Sequence, residues 1–255
     1  MTTAQFTKVI PTTEFQRVGR IVRLHFANPW TTIGLPWIIL GSIFLVNLAI
    51  WWIIFASVTS ASDRADVSDG LQYSGASFYI FVYMLVVAVQ AISITFPFAL
   101  GYGVTRRDYY LGTALNFVIL SAIYSAGLTV LSIVEELTNG WGMGGRMFTA
   151  VYFGDGWAQR LYLFFVGFLF FFFIGALFAA VFVRWKSNGL VALFIGLGVL
   201  VVGLVALATF TQGWGAVGAF FAQAGLVGSV SWSLVITALA AVAGFLVLRR
   251  ATPRG

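Results

Sequence analysis

Residues 161–200 read LYLFFVGFLFFFFIGALFAAVFVRWKSNGLVALFIGLGVL, two long apolar runs separated by the polar, cationic hexapeptide RWKSNG at 184–189. About 20 apolar residues suffice for a helix to cross the ~30 Å hydrocarbon core of a bilayer. With the second continuing to 210, each run reaches that length, and neither carries an internal charge. Working outward, the same pattern recurs, giving six candidate spans at 31–55, 77–104, 113–134, 160–183, 190–210 and 231–248. The breaks between them, such as SDRADVSDG (62–70) and EELTNGWGMGG (135–145), are too short for a soluble domain.

Composition agrees. Charged residues make up 9% of the 255-residue chain, hydrophobic residues 60%, and mean hydropathy is +0.98. Soluble domains carry roughly 25% charged residues because their surfaces face water. The expected fold class is therefore all-α integral membrane: six transmembrane helices, an N-terminal amphipathic elbow helix, and a re-entrant segment before the last helix. The chain divides into a cytoplasmic tail and interfacial elbow helix (1–30), a transmembrane domain (31–248) and a cytoplasmic tail (249–255). Residues 1–29 lack the continuous apolar core of a cleavable signal peptide, so the first span is expected to act as the insertion signal. Cysteine is absent, which excludes disulfides, thiolate metal sites and a cysteine nucleophile. A single histidine, His25, leaves little imidazole chemistry.

Basic residues fix the expected orientation, because Lys and Arg in short loops favour the cytoplasmic side. With the N-terminus inside, Lys8, Arg17, Arg20, Arg23, Arg106, Arg107, Arg184, Lys186, Arg249, Arg250 and Arg254 are cytoplasmic. Arg64, Arg146 and Arg160 then lie outside, with Asp63, Asp66, Asp69, Glu135, Glu136 and Asp155. This bias, together with attraction to anionic lipid, accounts for the net charge of +6. The cations form no single stripe of the kind a nucleic-acid groove needs, so nucleic acid is excluded as a partner. The expected location is the plasma membrane, with both termini cytoplasmic.

Before the first span, EFQRVGRIVRLHFANPW (14–30) places Phe15, Val18, Val22 and Phe26 on one helical face and Arg17, Arg20 and Arg23 opposite. That is the pattern of a helix lying in the membrane interface. Asn28-Pro29-Trp30 ends it and turns the chain into the bilayer. After the second span comes PFALGYGVTRRDYYLGTALN (97–116). Here Pro97, Gly101 and Gly103 loosen the helix end, Thr105 starts a new turn, and Gly112 is expected to allow a second turn. A positive-inside loop with belt aromatics explains Arg106, Arg107, Tyr109 and Tyr110 without further function. The short, mixed-charge loop also suits docking of a cytoplasmic partner.

ALGYGVTRRDYYLGTAL (99–115) resembles the cytoplasmic segment after the second helix of permease subunits of type-two ATP-binding-cassette exporters, in particular the small six-helix actinobacterial type. NPWTTIGLPW (28–37), leading into span one, is similar to theirs, and the layout of the whole chain matches. The resemblance implies a loop that docks into an ATPase subunit. By position this falls on residues 105–111, with Thr105, Arg106, Arg107, Asp108, Tyr109 and Tyr110 as contacts. It also implies two permease subunits, identical or not, around a central path.

ATP and Mg are expected in the partner ATPase, and no cofactor or metal in this chain. A Walker A loop needs Gly-Lys-Ser/Thr, whereas Trp185 precedes Lys186 and Lys8 is the only other lysine. The chain itself is not expected to be an enzyme. Glu135 and Glu136 are adjacent, so helix geometry points them ~100° apart, and no second catalytic group lies nearby in sequence.

Within the spans, Asn47, Gln90 and Asn116 are the largest polar groups. Such amides usually pair between helices; the alternative is a substrate path, for which Asn47 and Gln90 are the candidates. No mid-span charge supplies a proton relay. Eight phenylalanines surround span four, and Gly196, Gly198 and Gly203 in span five would permit close helix approach. The stretch QGWGAVGAFFAQAGLVGS (212–229) is apolar yet glycine-rich, fitting a re-entrant element covered by protein. Trp214, Phe220 and Phe221 would then sit near an outer exit. The expected function is export of a hydrophobic or amphipathic drug, lipid or peptide. The alternatives are a membrane scaffold or immunity protein and, with fewer of its parts present, an intramembrane enzyme.

Overall fold

A computed structural model describes residues 13–58, 60, 66–67 and 69–251, and these contain helix and loop but no strand. The orientation arguments placed on Lys8, Asp63, Arg64 and Arg254 fall outside the described residues, which leave out 1–12 and 252–255 at the ends. The helices are α1 (Glu14–His25), α2 (Trp30–Ser57), α3 (Ala76–Gly101), α4 (Arg106–Leu137), α5 (Trp157–Phe210) and α6 (Trp214–Arg249). The last five are long and apolar enough to cross a membrane.

At 1.5 Å per residue, a straight 54-residue α5 would be about 81 Å long, well over twice a bilayer core. It is not straight. Lys186, in the RWKSNG break, has φ 55° and ψ −150°, and the chain reverses there. A Cβ built on Gly189 would lie 3.2 Å from Val181 Cγ1, and the Phe178 and Phe194 rings are 5.3 Å apart. Sixteen residues of continuous helix would separate those rings by ~24 Å. α5 is therefore a hairpin of two helices, 157–185 and 187–210.

α6 breaks in the same way at Gly225 (φ 63°, ψ −174°). Phe220 and Trp232, ~18 Å apart along a straight helix, meet with ring centroids 5.7 Å apart and planes tilted by 57°. A short helix at 214–224 thus folds back on the longer helix at 226–249. The sequence places the last span at 231–248, but helix starts directly after Gly225, whose positive φ with extended ψ is open essentially to glycine alone.

The core lies where α3, α4 and the first half of α5 meet, around Phe81, Phe96, Phe117, Tyr124, Phe168 and Phe172. Phe117 and Phe172 stack at 4.7 Å and Phe81 and Phe168 at 4.4 Å, so the phenylalanines of span four serve largely as inter-helix packing. Backbones come close where a side chain is missing: a Cβ on Gly175 would lie 2.6 Å from the Leu85 carbonyl oxygen. No other helix of the described chain approaches Gly196, Gly198 or Gly203, each of which faces open space. In α3 the residues Ala91–Thr95 form a π-turn just ahead of Pro97, which removes one backbone donor.

The two ends of the bundle differ in charge. Arg17, Arg20, Arg23, Arg106, Arg107, Arg249 and Arg250 gather at the N-terminal end of α4, with the α5 turn at Arg184–Lys186 on the same side. Glu135, Glu136, Asp155 and Arg160 lie at the opposite, acidic end.

That end is closed by a cap (138–156) organised on one side chain. Glu135, 1% exposed, accepts hydrogen bonds from the backbone N–H groups of Met147 (3.1 Å), Phe148 (3.0 Å) and Thr149 (2.8 Å). Thr149 Oγ1 (2.6 Å) and Trp141 Nε1 (2.9 Å) also donate to it. Glu136 pairs with the buried Arg160 at 2.6 Å, so the two adjacent acids diverge, one into the cap and one to α5. The cap is tied to the preceding loop by Arg146 N–H to Leu71 O (3.1 Å) and by the Tyr152 hydroxyl to Ser74 O.

Candidate functional site

At the basic end, residues 105–113 belong to the start of α4 rather than to a loop. Thr105 is the N-cap, its Oγ1 accepting from Asp108 N–H at 3.1 Å, so helix begins at Arg106. The expected second turn at Gly112 is absent, because Gly112 lies within the helix. Its missing side chain has a different use: a Cβ there would sit 2.5 Å from Ile21 Cβ and 3.0 Å from Val18 O. Gly112 thus provides the seat on which α1 crosses α4.

α1 is well formed locally, with a reciprocal capping box between Thr13 and Gln16 at 3.3 and 3.1 Å. Two ion pairs hold it to α4, Arg17 Nε–Asp108 Oδ2 at 2.9 Å and Arg107 Nη2–Glu14 Oε1 at 2.7 Å. The face that packs is centred on Ile21, 3% exposed, while Phe15 is 82% exposed. The helical wheel had grouped Phe15 with the apolar face, since it cannot show which part of that face the neighbouring helix covers.

The same short segment reaches two more helices. The Tyr109 hydroxyl donates to Ala91 O in α3 at 2.5 Å, and the Tyr110 hydroxyl donates to Ala241 O in α6 at 2.6 Å. Arg106 Nη1 donates to Arg249 O at 3.0 Å. Of the six residues expected to offer a docking surface, Asp108, Tyr109 and Tyr110 are buried. Burial follows from their 100° spacing on a helix packed on several sides, which a loop reading does not impose. Thr105 and Arg107 remain exposed and Arg106 partly so. Beside them Arg20, Tyr102 and Gly103 line a shallow groove of about 190 Å³. The groove thus combines cations, an aromatic ring and the Asp108 carboxylate in its lining.

His25, at the end of α1, completes the attachment through Nε2 and Thr113 Oγ1 at 3.0 Å. Desolvation lowers its pKa from 6.5 to about 4. A folded value below the solvated one means that the docked state binds fewer protons than the undocked state between those pH values. Docking stability is thus complete above pH ~6.5 and falls as pH drops toward 4, by up to ~3 kcal/mol at 1.36 kcal/mol per unit. A thermal-denaturation series in detergent should show this acid-side loss, and His25→Gln should flatten it. An unchanged slope in that variant would assign the loss elsewhere.

The candidate path residues do not converge. Asn47 Nδ2 donates to Ile43 O of its own helix at 3.0 Å. Gln90 is exposed and shares a cavity with Asn116 near α1. Trp214, Phe220 and Phe221 are exposed at the folded-back helix 214–224, with Trp214 Nε1 donating to Thr209 Oγ1 at 3.2 Å. Sequence reasoning missed Glu135 as an organiser; the available signal was an acid ending an apolar helix just before a glycine-rich loop.

Comparison of the chain with family models, with curated proteins and with solved structures returned no match.

Proposed function

We propose that the chain is the membrane permease subunit of an ATP-binding-cassette exporter, moving a hydrophobic or amphipathic substrate with energy from a separate ATPase that holds ATP and Mg. The observation that carries this reading is the hub at 105–113. One short segment beside an exposed basic turn is bonded to α1, α3 and α6 at once. A partner pushing on that turn would move these helices together, which is what coupling nucleotide-driven motion to a transport path requires.

In this reading the two halves of α5 are separate crossings, so the chain spans the membrane six times. The basic end faces the cytoplasm, α1 lies along the inner leaflet of the plasma membrane, and the fold-back at Gly225 is re-entrant. The exposed apolar residues of 187–210 face lipid and a second permease subunit.

The Glu14–Arg107 pair supplies a test. Arg107→Glu is expected to lower ATPase association at least tenfold, by loss of a docking cation. The double swap Glu14→Arg with Arg107→Glu restores the internal pair but not the docking charge, so association should stay low while thermal stability recovers. If the double swap restores association, Arg107 acts only through Glu14 and the docking assignment is wrong.

A further inference from the structure

Between the C-terminal end of α1, the start of α2, and α3 and α4 lies a cavity of about 210 Å³. Its polar lining includes the primary amides of Asn28, Gln90 and Asn116 together with His25, against apolar walls from Leu24, Val87 and Phe117. No Asp, Glu, Lys or Arg lines it. The nearby threonines are already engaged: Thr31 Oγ1 donates to Asn28 O at 3.1 Å, and Thr32 Oγ1 donates to His25 O at 3.4 Å. Asn116 is the unusual member. It is 2% exposed, and its side-chain oxygen has no hydrogen-bond partner among the described residues.

A buried carbonyl left without a donor costs ~1–3 kcal/mol, and buried polar groups are normally satisfied by protein, water or ligand. What could satisfy this one is narrowed by the lining. A charged ligand would be desolvated without a countercharge, and a bare hydrocarbon would leave all three amides unpaired. Primary amides both donate and accept, so a group that does the same, a hydroxyl or an amide, suits them. The volume admits a small headgroup or fragment, being below the ~300 Å³ lower end of drug-sized pockets. Gln90, exposed on a membrane-length helix, puts the rim within reach of lipid.

We propose that this cavity binds an uncharged molecule bearing neighbouring hydroxyl or amide groups, the Asn116 amide turning its sealed oxygen toward the cavity to accept from it and Gln90 bonding it at the rim. The site stands apart from the transport reading, since it needs neither an ATPase nor a second subunit. The ligand can be lipid-borne, as the glycerol of a diacylglycerol, or a free polyol from water.

The chain has five asparagines, at 28, 47, 116, 139 and 188. In full-length protein labelled with ¹⁵N-asparagine in phosphatidylcholine nanodiscs, the Asn116 side-chain amide is identified by its loss in Asn116→Leu. Titration with dioctanoylglycerol is expected to shift Asn116 saturably while Asn47, Asn139 and Asn188 stay still. Gln90→Leu, at an exposed position, should raise the half-saturation concentration about tenfold, one hydrogen bond's worth. A saturable shift with glycerol, and none with dioctanoylglycerol, supports the site with a water-borne ligand. The proposal is overturned if neither probe shifts Asn116, if all five asparagines move together, or if choline produces the same shift.

Discussion

Glu135→Ala is expected to release the acidic-end cap and destabilise the protein by about 3–5 kcal/mol, the range for removing a buried charged partner. Three backbone N–H groups, a hydroxyl and an indole N–H all converge on this carboxylate, and alanine leaves them without an acceptor. Met147, Phe148 and Phe153 are buried and hydrogen bonds tie the cap to the preceding loop, but no other side chain among the described residues gathers so many of its donors. The cap contains Asn139 and Trp141 at positive φ and several glycines, so its backbone gains much freedom on release. Glu135→Gln keeps one acceptor oxygen but turns an NH₂ toward donors, and should lose less. Melting in detergent combined with protease sensitivity within 138–156 would register both. An alanine variant as stable and as protease-resistant as the parent would show that the cap is held elsewhere.

The contrast with the rest of the chain shows what a sequence carries. Long apolar runs are legible because a helix of ~20 such residues has few other homes, and the expected spans overlap the observed helices throughout. The RWKSNG break was legible too, and the reversal occurs inside it at Lys186. Glu135 was not, because its partners are backbone groups up to 14 residues away, brought together by left-handed turns that composition does not encode. The 105–110 segment fails for a related reason. Arg106-Arg107-Asp108-Tyr109-Tyr110 looks like exposed charge and belt aromatics until the Thr105 cap starts the helix there, which turns three of the five inward.

Gly112→Leu should have the second large effect, at the opposite end. The new side chain would collide with Ile21 Cβ and the Val18 backbone, neither of which is a flexible tip. Overpacking of this kind costs ~1–3 kcal/mol or more, and the cheapest relief is to lift α1 off α4. That would break the Arg17–Asp108 pair and the His25–Thr113 contact together, so a single substitution should undock a whole helix. Because the chain contains no cysteine, a thiol introduced at Leu24 reports this cleanly. Leu24→Cys should react slowly with a water-soluble maleimide in the parent and at least tenfold faster with Gly112→Leu. Equal rates would mean that α1 is not seated on Gly112.

Both substitutions concern how the bundle is held together, whereas the central claim concerns what acts on it. In the proposed reading, the hub joining α1, α3 and α6 beneath an exposed basic turn receives a push from a cytoplasmic partner. Affinity purification of the tagged chain from its native membrane, in mild detergent and with ATP and Mg present, tests this most directly. The expected result is stoichiometric recovery of a second polypeptide that carries a Walker A motif and hydrolyses ATP, lost from Arg107→Glu membranes. Recovery of the intact chain with no nucleotide-binding partner, across detergents that preserve α1 docking, would contradict it.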